Sequence, residues 1–291
     1  MYSFLLQGSK NLPFFHSQSL QCGEKDFGIS LKYLGTAGFI LQSQHRTAVI
    51  DPFLTRPSLA TTLTQKLRPN EELLTREIPH ADDVLVGHSH FDHILDAPSI
   101  CKRTGARFIG SPSSCNVARA AGVQRPQIVE TTGREWIECG HNRIKGLPSE
   151  HGKVYFNRVT LPGNIPHIPK WPTYFWNLKH GLVLNWYLEW EGLKIVHIDS
   201  AEFYNQELEG HTCDILCLCA IGRIHRPNYV KDAVSILKPK YVMPCHWDLF
   251  FTPYQGPHYC LPQVDVIGML DEINATGVEP ILLDIGHKLT I

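Results

Sequence analysis

Three histidines and an aspartate fall within six residues at His88-Ser89-His90-Phe91-Asp92-His93, directly after the apolar run Val84-Leu85-Val86. That run reads as a short buried strand, and Gly87 ends it. A strand-end loop does not need so many imidazoles for packing, but a metal does. His88 and His90 are two apart, so in an extended loop they project the same way and can share one cation. Asp92 and His93 follow at once and can turn toward a second cation beside the first. Imidazole plus carboxylate suits zinc, and also iron or manganese.

The rest of the composition sets limits. The chain has 291 residues, 43% hydrophobic and 19% charged, with a net charge of −1. So even a balance gives no general pull toward nucleic acid or anionic membrane. Histidine is in surplus, at 16 against 27 Lys plus Arg, which fits a metal site. The nine cysteines are an odd, scattered set. Cys213, Cys217 and Cys219 lie in an apolar run and read as small core residues. No Cys-x-x-Cys occurs, so a reduced, cytoplasmic compartment is expected. Residues 1–10 lack a basic n-region and a sustained apolar core, so no signal peptide is expected. No apolar run reaches the length of a membrane span.

Residues 1–28 form an N-terminal extension with apolar patches at Phe4-Leu5-Leu6 and Leu12-Pro13-Phe14-Phe15, placed over the core or on a partner subunit. Strands are expected at 29–34, 39–42 and 47–50, the last closed by Asp51-Pro52. Helix spacing covers 58–67, with Ser58 as N-cap, and a polar loop runs on from Pro69. A helix at 94–104, a strand at 108–109 and a helix at 113–121 follow the metal loop. Strands return at 128–129, 134–137 and 143–147. Residues 154–181 hold Pro162, Pro166, Pro169 and Pro172 among many aromatics, which forbids a long helix or a central strand. This insertion is expected to wall a substrate pocket or to form a dimer contact. Strands at 182–190 and 194–198 share the turn Glu191-Gly192. After them come a strand at 214–219, a helix at 228–237, a strand at 240–243, a helix at 264–274, and strands at 281–283 and 288–291.

The run His88-x-His90-x-Asp92-His93, with the opening strand–Leu34-Gly35-x-Ala37-Gly38–strand–Ile50-Asp51-Pro52, resembles the metallo-β-lactamase superfamily over residues 30–290. Gly87 departs from it, since a Ser or Thr usually stands there. The resemblance implies an α/β fold: a four-layer αββα sandwich, two mixed sheets face to face with helices outside, here as one domain over 1–291. It also implies ligands downstream. His151, at a strand end before Gly152, takes the place of the third imidazole; His141, in a turn, ranks below it. Asp199 takes the place of the metal-bridging carboxylate, though both its usual neighbours are replaced. His246 takes the place of the last ligand. The implied set is His88, His90 and His151 for one metal and Asp92, His93 and His246 for the other, with Asp199 between. Asp51 orients the loop by hydrogen bonding or caps a turn. His197, alternating to the opposite face, belongs to the core or backs a ligand.

Two divalent ions, zinc first and iron or manganese next, would make a metal-dependent hydrolase. Asp92 would orient the attacking water or accept its proton. The segments 34–39 and 240–246 look similar to ascorbate-6-phosphate lactonase-like and phospholipase D-like hydrolases, which implies a small lactone, ester or phosphodiester. Arg223, His225 and Arg226 then meet a phosphate or carboxylate, or form a solvated basic loop. Trp247, Phe250, Tyr254, His258 and Tyr259 line an organic pocket or belong to the core. The alternatives are a di-iron oxygen-reactive protein and a nuclease, the latter opposed by the neutral charge. The expected partner is a small-molecule substrate, with a homo-oligomer possible.

Overall fold

A computed structural model describes residues 8–22 and 26–291. The patch Phe4-Leu5-Leu6 lies outside them. Among the described residues the strands form two seven-stranded sheets. The first sheet contains β1 (Ser30–Gly35), β2 (Gly38–Gln42), β3 (Thr47–Ile50), β4 (Asp83–Val86), β5 (Arg107–Gly110) and β6 (Ile128–Glu130). The second contains β7 (Trp136–Cys139), β8 (Asn142–Ser149), β9 (Val183–Trp190), β10 (Leu193–Ile198), β11 (Ile215–Cys219), β12 (Tyr241–Cys245) and β13 (Glu279–Pro280). The last strand, β14 (Lys288–Thr290), returns to the first sheet and pairs with β1.

Each sheet is mixed in the same way. β1, β2 and β3 are antiparallel neighbours, and β3 to β6 run parallel. β7 to β10 are antiparallel, and β10 to β13 run parallel. Parallel strands must be covered on both faces, and β3, β4 and β11 are buried at every position. The β9–β10 hairpin turns on Glu191 and Gly192, both at positive φ, the geometry that matches strand twist.

The helices are α1 (Leu59–Thr64), α2 (Glu71–Glu77), α3 (Phe91–Ile94), α4 (Ala97–Thr104), α5 (Pro112–Ala120), α6 (Asn205–Leu208), α7 (Tyr229–Leu237) and α8 (Val266–Asn274). α4 packs on β4, α5 on β5, and α8 on β12. The result is the αββα sandwich.

Three expectations need correction. Residues 71–77 are helical rather than a loop. Asn70 caps them by accepting from the Leu73 amide at 3.1 Å, and Leu74 is buried. The helix expected over 94–104 is two helices, and Pro98 sits in the first turn of the second. The strand expected at 281–283 is displaced to β13, although the Ile281 amide still bonds Val242 O at 2.8 Å.

Of the extension, Leu12 is buried and the Phe14 ring stands 5.7 Å from that of Trp247. All nine cysteines are free and buried. Among the described residues, no helix is long and apolar enough to cross a membrane.

Candidate metal centre

The centre lies where the two sheets bring their strand ends together. β4 ends at Val86, and the loop beyond it carries His88 and His90 into α3, whose first turn carries Asp92 and His93. His151 follows β8, Asp199 follows β10, and His246 follows β12. Donor atoms of three residue groups fall within 4.8 Å of one another: His88, His90 and His151; His88, His93 and Asp199; Asp92, His93 and His246. Every sequence-selected ligand therefore joins one contiguous cluster. His141 lies apart in an exposed turn.

The separations can be tested against a metal. Two nitrogens about 2.0–2.1 Å from one tetrahedral ion stand about 3.3–3.4 Å apart. His88 Nε2 and His90 Nδ1 are 3.1 Å apart, and His246 Nε2 and Asp92 Oδ2 are 3.3 Å apart. Two of the rings are tied down at the rear edge, as metal-ligating imidazoles usually are. His88 Nδ1 donates to Asp199 Oδ2 at 2.7 Å, and His151 Nδ1 donates to Gly152 O at 2.7 Å. His93 Nδ1 is 3.1 Å from Asp51 Oδ2, while Asp51 Oδ1 accepts from the Gly87 amide at 2.7 Å. Asp199 Oδ1 and His246 Nδ1 are buried without hydrogen-bond partners among these residues. An orphaned carboxylate oxygen beside imidazole nitrogens fits a cation.

The charge states of His88 and His90 agree; at His93 burial lowers the pKa, but Asp92 and Asp51 outweigh it and raise it to about 9. Burial and the neighbouring imidazoles hold His88 well below the ordinary histidine range, and burial lowers His90 to about 4. Both are therefore neutral at pH 7, the form that binds metal. Burial pushes Asp92 up, but His93 and His246 outweigh it and hold the carboxyl well below its ordinary value. Burial and Asp51 push Asp199 well above the carboxylate range.

Sequence reasoning missed a buried network behind His246. Arg56 Nη2 meets Asp248 Oδ2 at 2.6 Å, with both side chains fully buried. Asp248 Oδ1 accepts from the Thr36 amide at 2.7 Å and lies 3.0 Å from the Tyr33 hydroxyl. The His246 amide donates to Thr36 O at 2.5 Å, which closes the link to the ligand. Thr36, Asp51, Arg56 and His246 all hold positive φ, a strain that only over-determined surroundings maintain. Gly35 is obligatory here, because a Cβ would fall 1.9 Å from Arg56 Nη2. The Arg56 signal was weak, since a lone arginine after Asp-Pro-Phe-Leu-Thr has no motif.

The residues expected to meet substrate, Arg223, His225 and Arg226, do not line the metal cavity; Arg223 and Arg226 line a separate cavity of about 820 Å³. Arg223 is buried, pairs with Glu272 at 2.9 Å and donates to Asp265 O at 2.7 Å, so its charge is spent anchoring α8. Arg226 pairs with Glu202 and Asp232. His225 lies in a shallow neighbouring recess with Gly222 and Gln263. His197 is fully buried and donates through Nε2 to Ala37 O at 2.7 Å. Trp247 is fully buried and Tyr254 nearly so, whereas Phe250 lines the metal cavity. That cavity is about 560 Å³, and the insertion walls it with Val154, Tyr155, Thr160, Leu161 and Phe175.

Residues 30–246 match the model of the Beta-lactamase superfamily domain. The chain belongs to the metallo-β-lactamase superfamily. A UPF0173 metal-dependent hydrolase of Carboxydothermus hydrogenoformans is 30% identical over 226 residues, covering 76% of this chain and 85% of its own. The superfamily fold recurs in Igni18, a metallo hydrolase from Ignicoccus hospitalis, at a TM-score of 0.62 and 18% identity over 90% of this chain and 98% of the other. It recurs again in CmlA, a diiron β-hydroxylase from Streptomyces venezuelae, at 0.59 and 15% over 90% of this chain and 54% of that one. At such identities these two structures share the fold alone. This member of the superfamily is a metal-dependent hydrolase.

Proposed function

We propose that the enzyme is dinuclear and hydrolyses a small lactone, ester or phosphodiester. The observation that carries this reading is the presence of two three-residue donor clusters in one cavity, joined through His88, His93 and Asp199. His88, His90 and His151 would hold one ion, and Asp92, His93 and His246 the other. Asp199, which shares a donor group with His88 and His93, would stand between the two ions. Bound divalent ions, zinc before iron or manganese, would supply a Lewis acid and an activated water at neutral pH. Asp92 is held ionised by His93 and His246 and would orient that water or accept its proton. The nine buried free thiols support a reducing, cytoplasmic setting.

Elemental analysis of protein purified without added metal tests this reading. Two zincs per chain and no visible absorption are expected, and Asp199→Ala should lose metal and turnover together. Full metal content in that variant would remove the bridging role. Two irons with a visible band would favour di-iron oxygen chemistry, which the same donors suit.

A further inference from the structure

Beyond the metal ligands, the cavity wall determines what else can enter. Every other lining side chain is apolar except Tyr155, Thr160 and Ser200, and none is lysine or arginine. The Ser200 hydroxyl is already engaged, accepting from the Gly152 amide at 2.8 Å. One side is a continuous aromatic wall. The Phe91 ring lies 6.1 Å from Phe175, 6.1 Å from Phe250 and 6.3 Å from Phe251, and the last two are 4.8 Å apart. The wall starts at the metal cluster itself, with Phe250 at 5.5 Å from the His246 ring.

An anionic substrate would leave water for a surface that offers its remote part no counter-charge. An apolar group gains on the same surface by about fourfold in binding per buried methylene. Ring-sized groups fit best, since aromatic walls favour offset and edge contacts.

We propose that the substrate is an uncharged carboxylic ester or lactone with an apolar acyl side seated on the Phe91–Phe175–Phe250–Phe251 wall. This rests on the hydrolase reading of the same site. The water oxygen bonds to the carbonyl carbon, the carbon–oxygen bond to the alcohol breaks, and a proton passes to the departing alkoxide. The products are a carboxylate with its proton released and an alcohol, joined in one molecule when the substrate is a lactone. The new carboxylate meets no cation on the wall, which favours its departure.

The test uses holoenzyme of measured metal content. The substrates are the 4-nitrophenyl esters from acetate to hexanoate and bis(4-nitrophenyl) phosphate, which share a leaving group. kcat/KM should rise about three- to fourfold per methylene, with the phosphodiester slower than hexanoate. Phe175→Arg supplies the missing cation at a half-buried position; it should flatten the ester series and speed the phosphodiester. Binding of hexanophenone, an uncharged ketone that cannot be hydrolysed, is read by calorimetry and should be lost in Phe251→Asp. A flat series, a faster phosphodiester, or no hexanophenone binding overturns the proposal. Turnover of neither class by metal-loaded enzyme would instead refute the hydrolase reading, and hexanophenone binding would still decide what the wall accepts.

Discussion

The two halves of the sandwich supply the centre in opposite ways. The first half delivers His88, His90, Asp92 and His93 from one loop and one helical turn after β4. The second delivers single residues from three strand ends, after β8, β10 and β12. Donors in one short segment are placed by local backbone geometry. Donors about fifty residues apart meet only if β8, β9, β10, β11 and β12 pair in the correct register, since a slip of one residue would turn each side chain to the other face. The first half is the anchor of the site, and the second half completes it.

Removing His88 and removing His246 should therefore differ most. His88 belongs to two of the three donor groups and His246 to one. His88→Ala is expected to lose all metal and fall to the background rate, while His246→Ala keeps one ion per chain. Equal metal contents in the two variants would mean that the halves contribute alike.

The next effect concerns the tie across the halves. Arg56→Met leaves Asp248 as a fully buried, unpaired carboxylate. It should cost about 3–5 kcal/mol in denaturant unfolding and weaken metal binding about 10- to 100-fold. Arg56→Met combined with Asp248→Leu should recover the stability but not the affinity. Recovery of both would reduce the pair to packing.

The smallest effect probes the anchor's own support. Asp96 is buried and accepts from the Leu54 and Thr55 amides at 2.6 and 2.9 Å and from the Thr55 hydroxyl. Burial is the main cause that raises it to about 6 from an ordinary 3.8. The folded chain thus holds this proton more tightly than the unfolded chain. Its contribution is complete below about pH 4 and is lost as pH rises through about 6. The stability advantage of wild type over Asp96→Asn should shrink by about 2 kcal/mol between pH 4 and pH 7. A difference independent of pH would show that Asp96 is not protonated in the folded state.

The same asymmetry explains what the sequence made legible. The loop is a motif because its chemistry is local, and the strands around it carry plain apolar runs. His151, Asp199 and His246 could be ordered only by resemblance, since each is a lone polar residue at a strand end. Arg56 and Asp248 were invisible because they are 192 positions apart and matter only through their contact. The engagement of Arg223 was hidden for the same reason: its partners, Glu272 and the Asp265 carbonyl, lie more than forty positions away. The helix at 71–77 was readable from Asn70 and the two glutamates after it, but Pro69 drew attention to a break.

Residues 288–290 form the outer strand of the sheet that contains the metal loop, paired with residues 30–32. During synthesis the first of these partners is made long before the second. Until residues 288–290 leave the ribosome, this edge of β1 is unpaired and open to other nascent chains, the form of exposed strand most prone to intermolecular pairing. The half of the molecule that carries the histidine-rich loop is the half whose sheet must wait longest for its last strand.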